Sequence, residues 1–238
     1  MSKNQFLLLW LESPLQSWGE GSRYSRRETI NFPTKSGVYG LILCALGLPG
    51  TQVELLKRMS DFRLNVFGYK KSCNNLLDEF WLRDFHMVGS GYDLSDSWEK
   101  YLVPKTSEEK NSKGGGAKLT YRFFIQNMAF ACILEIPSDF EHDIKLGFES
   151  PRWPLFLGRK CCVPSDIIYR GIFDDYSQAL VRADEIAKNK GRIKSIEVYD
   201  GVIEDIDNGE IMILNDVPVE FGLYKKYRER KVTVRRIT

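Results

Sequence analysis

The sequence predicts an α+β fold built on an antiparallel sheet. Three observations point to it. Short apolar runs with strand character recur along the chain, such as "QFLLLWLE" (5–12) and "FRLNVFGY" (62–69). Helical spacing of apolar residues is confined to a few stretches. Over the first 165 residues the two kinds follow the order β-α-β-β-(short α)-β, which suits a sandwich of the ferredoxin type.

Each element has its own local signal. "QFLLLWLE" is bounded by Pro14, so it reads as a buried strand. From Ser36 to Leu48 the apolar residues Val38, Leu41, Ile42, Ala45 and Leu46 crowd on a helical face, and Gly47 and Pro49 close the helix. "QVELLKRM" (52–59) is a second short helix. "FRLNVFGY" alternates as a half-buried strand does, and "EFWLRDFHMV" (79–88) is a strand leading outward. A polar, Gly- and Lys-rich interval of about thirty residues follows, a length that marks a functional or disordered loop. "TYRFFIQNMAFACILEI" (120–136) is one long strand or two. Residues 139–148 hold a short helix, and "LFLGRKCCV" (155–163) is again strand-like. "YSQALVRADEIAKNK" (176–190) is helical, with Ala179, Leu180, Ala183 and Ile186 on one face. "RIKSIEVY" (192–199) and "KVTVRRI" (231–237) end the chain as strands.

Composition narrows the function classes. The chain has 238 residues, 43% hydrophobic and 28% charged, as a soluble globular protein does. No apolar run reaches the roughly 18 residues needed to span a bilayer, so no membrane role is expected. The basic, then apolar N-terminus lacks a cleavage site and reads as strand, not signal peptide. The 5 Cys residues show no disulfide spacing, which fits a reduced, cytoplasmic protein. There is no Cys-x-x-Cys pair and only 2 His, which argues against a zinc site. No cofactor is expected.

Net charge is only +2, but its distribution is uneven. The terminal "LYKKYRERKVTVRRIT" is strongly basic, as is the stretch 100–122, whereas "DGVIEDIDNGEIMILND" (200–216) holds acids and no base. Segregation of this kind suits basic faces that meet an anionic partner, although a solvated mixed surface would look the same. Two stretches sharpen the point. In "FPTKSGVYG" (32–40), Thr34 or Ser36 can cap the following helix, and its exposed amides with Lys35 form an anion site. Arg23, Arg26 and Arg27 lie just upstream, and three guanidiniums suit a phosphate chain. In "PRWPLFLGRKCCVPS" (151–165), Arg152, Arg159 and Lys160 alternate with Trp153, Phe156 and Gly158. Cations interleaved with rings suit single-stranded nucleic acid; the other reading is core rings and solvated cations.

Four blocks, "LWLESPLQSWG", "FPTKSGVYGLILCALG", "LRDFHMV" and "PRWPLFLGRKCCVPS", stand in this order between residues 9 and 165. Together they resemble the Cas-five family of CRISPR-associated RAMP proteins, and within it the type I-E form. The resemblance implies a ferredoxin-like (RRM-like) RAMP domain over 1–165, with a long β-hairpin thumb inserted at about 84–122. Residues 166–238 then form a C-terminal β-rich extension packing on the same domain. It implies a subunit of the Cascade surveillance complex in antiviral defence that binds the 5′ handle of the crRNA. Partners would be the CasC backbone subunit, the large subunit CasA and, indirectly through the complex, target DNA. Carried onto this chain, the RNA-binding residues are Gln16, Ser17, Trp18, Arg23, Arg26, Arg27, Thr34, Lys35, Ser36, Arg83, His86, Arg122, Arg152, Arg159 and Lys160. Those of the thumb that meet a partner are Trp98, Tyr101, Lys105, Lys113 and Lys118.

Some members of the wider family cleave precursor RNA without a metal. That chemistry needs a base for the 2′-OH and cations for the phosphorane. His86 stands at the root of the expected thumb and His142 in the acidic "DFEHD". Neither has the company of a catalytic set, and the type I-E form leaves cutting to another subunit, CasE. The expectation is a non-catalytic binding subunit. The alternatives are a metal-independent endoribonuclease and a stand-alone RNA-binding module.

Overall fold

The first strand, β1 (Asn4–Glu12), is apolar without alternation because both of its faces are covered. Leu7, Leu9 and Leu11 point into one core, Leu8 and Trp10 into a second, and all five are fully buried. A strand with no solvent side reads as a continuous apolar run. These details come from a computed structural model, which describes residues 4–19, 25–71, 81–88, 98 and 118–237.

β1 sits near one end of a seven-stranded sheet. The strand order is β10 (Gly209–Glu220), β11 (Lys226–Arg236), β9 (Arg192–Asp200), β4 (Leu64–Lys71), β7 (Ala129–Pro137), β1 and β8 (Tyr169–Phe173). Every neighbouring pair is antiparallel. A smaller sheet is built around β6 (Lys118–Gln126). It carries β2 (Leu15–Gln16) and β5 (Trp81–Val88) antiparallel and β3 (Arg26–Arg27) parallel. The β5–β6 register runs from Trp81 opposite Ile125 to Val88 opposite Lys118.

Helices cover both faces of the main sheet. α1 (Lys35–Leu46) starts on Thr34, whose hydroxyl accepts from Gly37 N at 3.1 Å, and ends on Gly47 in the left-handed region. Its Val38, Leu41 and Ile42 join Leu7, Leu9 and Leu11 in the larger core, beside α2 (Val53–Met59) and α3 (Glu141–Glu149). α4 (Tyr176–Asn189) lays Ala179, Ala183 and Ile186 on Leu8, Trp10 and Phe67 at the other face. Its side-chain cap is Asp175, which accepts from Ser177 N at 2.9 Å.

The α+β class predicted from sequence holds, and sheet dominates it. Of the two readings open for 120–136, the two-strand one holds: β6 and β7 are divided at Asn127, which turns at φ 55°. Residues 155–163 form no strand. Pro154 and Pro164 bound the run on both sides, and within it the chain folds on itself, with Leu157 N donating to Cys162 O at 2.8 Å. Only Leu157 and Cys162 of that loop are fully buried, so its apolar letters fill a core gap from a turn. The acidic stretch 200–216 supplies most of β10, which sequence reading left unassigned. Among the described residues, no helix is long and apolar enough to cross a membrane.

Candidate nucleic-acid interface

The polar connection between β1 and α1 is held down by its own side chains. Gln16 is fully buried; its amide donates to Leu11 O at 3.1 Å and Met128 O at 2.8 Å and accepts from the Trp18 indole at 3.1 Å. Ser17 donates to Phe123 O at 3.2 Å. The Trp18 ring lies against Gly37, where a Cβ would meet it at 2.8 Å. Gln16 and Trp18 were expected to touch RNA. Gln16 is instead an interior strut with its polar atoms already satisfied. Trp18, 1% exposed, has its indole N–H bonded to Gln16 and lines the groove described below.

Lys35 requires the same correction as Gln16. It is 2% exposed, its ammonium donates to Ser60 O at 2.9 Å, and it lies 3.5 Å from Asp200. Burial holds the ammonium below the ordinary lysine range, against the pull of Asp200. The helix start it belongs to already has its anion. Asp216, 3% exposed, accepts from the Lys35 backbone N at 2.7 Å. Arg230 clamps that carboxylate through two bonds of 2.7 and 3.0 Å and reaches Asp200 at 3.1 Å. Two cations and two carboxylates therefore close a buried cluster that ties the C-terminal strands to α1. Ser36 is half-buried and donates to the capping Thr34 at 3.3 Å.

Cations from three distant segments meet on the small sheet. Arg27 of β3 is in parallel register with Arg122 of β6, so both project to the same face. Arg159 reaches over from the 155–163 loop, donating to Arg27 O at 2.9 Å and stacking 4.7 Å above the Phe124 ring. Burial, then the charge of Arg122, lowers the pKa of Arg159. No carboxylate among the described residues pairs with Arg122 or Arg159 within ion-pair distance. Asp84 stands opposite Arg122 in the ladder but bonds His86 of its own strand. Like charges held together in this way are what a phosphate chain relieves.

The loop bearing Arg159 is fixed by Gly158. A Cβ there would lie 1.7 Å from Ser17 O, and φ is +96°, so only glycine fits. Beside it opens a groove of about 590 Å3, bordered by Thr34, Gly37, Gly40, Trp153, Phe156 and Gly158. Glycines on this wall expose backbone, and the two rings offer flat apolar surface. Lys225, just before β11, and Tyr227 of β11 complete the rim; both belong to the basic terminus, and neither is among the residues expected from sequence.

The remaining candidates are placed apart. Arg26 pairs with Glu28 at 2.5 Å and lies 5.0 Å over the Phe123 ring, on the opposite face of the small sheet from Arg27. Arg83 points to that same opposite face, 5.9 Å over Tyr121. His86 shares its face with Asp84 and contacts that carboxylate. Arg152 is exposed with its stem on Gly47, and Lys160 is exposed. Trp98 is exposed. Arg23, Tyr101, Lys105 and Lys113, with the side chain of Lys118, lie outside the described residues. No cluster of three metal-ligating side chains occurs among the described residues.

Comparison with known proteins places this architecture. The model of the family described as CRISPR-associated protein (Cas_Cas5) matches residues 6–233. The CRISPR system Cascade subunit CasD of Escherichia coli (strain K12) is 24% identical over 181 residues, 70% of each chain. A solved chain of a CRISPR RNA-guided surveillance complex superposes with a TM-score of 0.68 at 22% identity, covering 97% of this chain and 89% of that one. A crystal structure of a Cas protein gives 0.55 at 22% identity over 97% and 92%. These two share the fold. With nearly its whole length matched, the chain belongs to the CRISPR-associated Cas5 family.

Proposed function

We propose that this chain is a non-catalytic subunit of a type I-E Cascade complex that holds the 5′ handle of the crRNA. One observation carries the reading: Arg27, Arg122 and Arg159 converge beside a groove walled by glycines and rings. The name of the Escherichia coli relative, a Cascade subunit, supports it. In this reading the chain caps the CasC backbone, adjoins CasA, meets target DNA through the complex and works in the cytoplasm.

The strand order β4-β7-β1-β8, with α1 after β1 and α3 after β7, supports a ferredoxin-like (RRM-like) domain. The β5–β6 ladder, continuous to Val88 and Lys118, supports a hairpin thumb rooted on the small sheet. In this reading β8 completes the domain past residue 165 by pairing with β1, and pairing of β9 with β4 supports an extension after it that packs on the same domain. His86 rests on Asp84 of its own strand, which supports a structural role for the ring.

The test is binding of single-stranded handle RNA across a salt series. Each phosphate neutralised contributes about −0.7 to the log–log slope. The Arg122→Ala and Arg159→Ala variants should each flatten it by about that amount. Affinity that does not respond to salt, or a double variant that binds as the wild type does, would sink the reading.

A further inference from the structure

A second recess, a slot of about 320 Å3, opens between the two sheets and shares no lining residue with the groove. Its floor is aliphatic: Ile125, Met128 and Ile196 are buried there, and Ile237 borders it. One wall is Trp81, the first residue of β5. Trp81 stands opposite Ile125 in the ladder, so its indole projects to the side on which Ile125 faces the slot. Trp81 is left 42% exposed. The rim is polar and cationic, with Asn31, Ser195, Lys70 and Arg236, and among the described residues no carboxylate lines the slot.

We propose that this slot takes one nucleotide of a single-stranded RNA, its base stacked on Trp81 and its phosphate held by Lys70 and Arg236. The proposal rests on the RNA-binding reading above and adds a site distinct from the arginine face. Each part of the nucleotide has a counterpart. The indole gives a stacking surface that any base can use. The aliphatic floor excludes water beneath it. Asn31, on the lining, supplies an amide donor and acceptor for a base edge. Lys70 and Arg236 supply charge where a phosphate would leave the slot; the nearest acid to Arg236 is Glu210, loosely at 3.9 Å with both side chains exposed. A free anion would have no use for the ring and floor. An apolar side chain from a protein would leave both cations unanswered.

The experiment uses the full chain and a single-stranded RNA carrying 5-iodouridine. Photocrosslinking followed by mass spectrometry should place an adduct on Trp81. Trp81→Ala should weaken RNA binding about 5- to 100-fold, and Trp81→Phe should retain most of the affinity. Lys70→Ala with Arg236→Ala should flatten the salt slope by about 0.7 per phosphate lost. Melting curves check that each variant folds, and the Phe and double variants carry the test if Trp81→Ala does not. Wild-type affinity in all these variants, with no adduct on Trp81 and Arg122 and Arg159 still required, overturns the slot and leaves the arginine face intact. A protein that binds no RNA at all overturns both. Protection of Trp81 by an added protein subunit, with RNA failing to compete, assigns the slot to a protein and overturns the proposal.

Discussion

Asp216 stands where an outside anion would bind, at the amides that open α1. The helix start has partial positive charge, and Lys35 and Arg230 add two more cations within a shell closed to water. Asp216 and Asp200 balance them. Removing one partner of a buried ionic set leaves a charge uncompensated, which costs about 3–5 kcal/mol. Asp216→Ala should therefore lower the urea midpoint steeply, whereas Asp205→Ala, at an exposed position, should stay within about 0.5 kcal/mol of wild type. Equal stability of the two variants would show that the cluster does not hold α1 to the C-terminal strands. The sequence misled at this scale for a definite reason. Lys35 has the neighbours of a phosphate ligand, but its partners lie 165 and 181 positions away. Gln16 misleads likewise, since one of the carbonyls that satisfies it, from Met128, is 112 positions away. Arg122 and Arg159 were legible as cations, while their meeting was not.

At the scale of elements, the two faces of the β5–β6 ladder differ. Trp81, Phe85 and Met87, all exposed, share one face with Arg83 and with Leu119 and Tyr121 of the partner strand. Asp84 and His86 share the other with Arg122. The ladder makes few demands on what lies beyond Val88 and Lys118, because the main sheet is paired without that segment. Replacing the stretch from Leu102 to Leu119 by a short turn should leave the melting transition nearly unchanged, since polar Gly-rich sequence buries little apolar area. The same variant should lose co-purification with CasC. A large drop in melting temperature would refute the hairpin reading, and normal assembly would refute the partner role. Elements were legible where one local pattern decides them, as in β1, α1 and α4. They were not legible where tertiary fit decides. The 155–163 loop carries apolar letters because Leu157 and Cys162 fill a gap from a turn. β10 carries acidic letters because it is an edge strand with exposed positions, and one acid, Asp216, turns inward to a distant helix.

At the scale of the molecule, the ends of separate strands are joined by a second ionic network, and it sets the response to acid. Arg192, at the start of β9, donates to Glu12 of β1 at 2.7 Å and to Asn127 O at the β6–β7 turn at 2.9 Å. Lys190, after α4, pairs with Glu12 at 3.0 Å and with Asp166 at 2.7 Å, and Arg170 also holds Asp166. Burial alone would raise the Glu12 pKa, but bonds from Trp10, Arg192 and Lys190 outweigh it and bring it below its ordinary 4.5. Asp166 is likewise held below 3.8: burial opposes the shift, and Lys190 leads the groups that win. Both carboxylates thus bind protons more weakly in the folded chain than in the unfolded one. The sign follows: their stabilisation is complete above about pH 4.5, and it is lost as pH falls through that value toward the folded pKa values. Unfolding midpoints measured from pH 7 down to pH 3 should be level at first and then fall. Glu12→Gln keeps the shape but removes the titrating charge. That variant should start less stable at pH 7 and approach the wild type as the pH drops, with a flatter profile between. Parallel profiles for the two proteins would show that Glu12 does not carry the acid response.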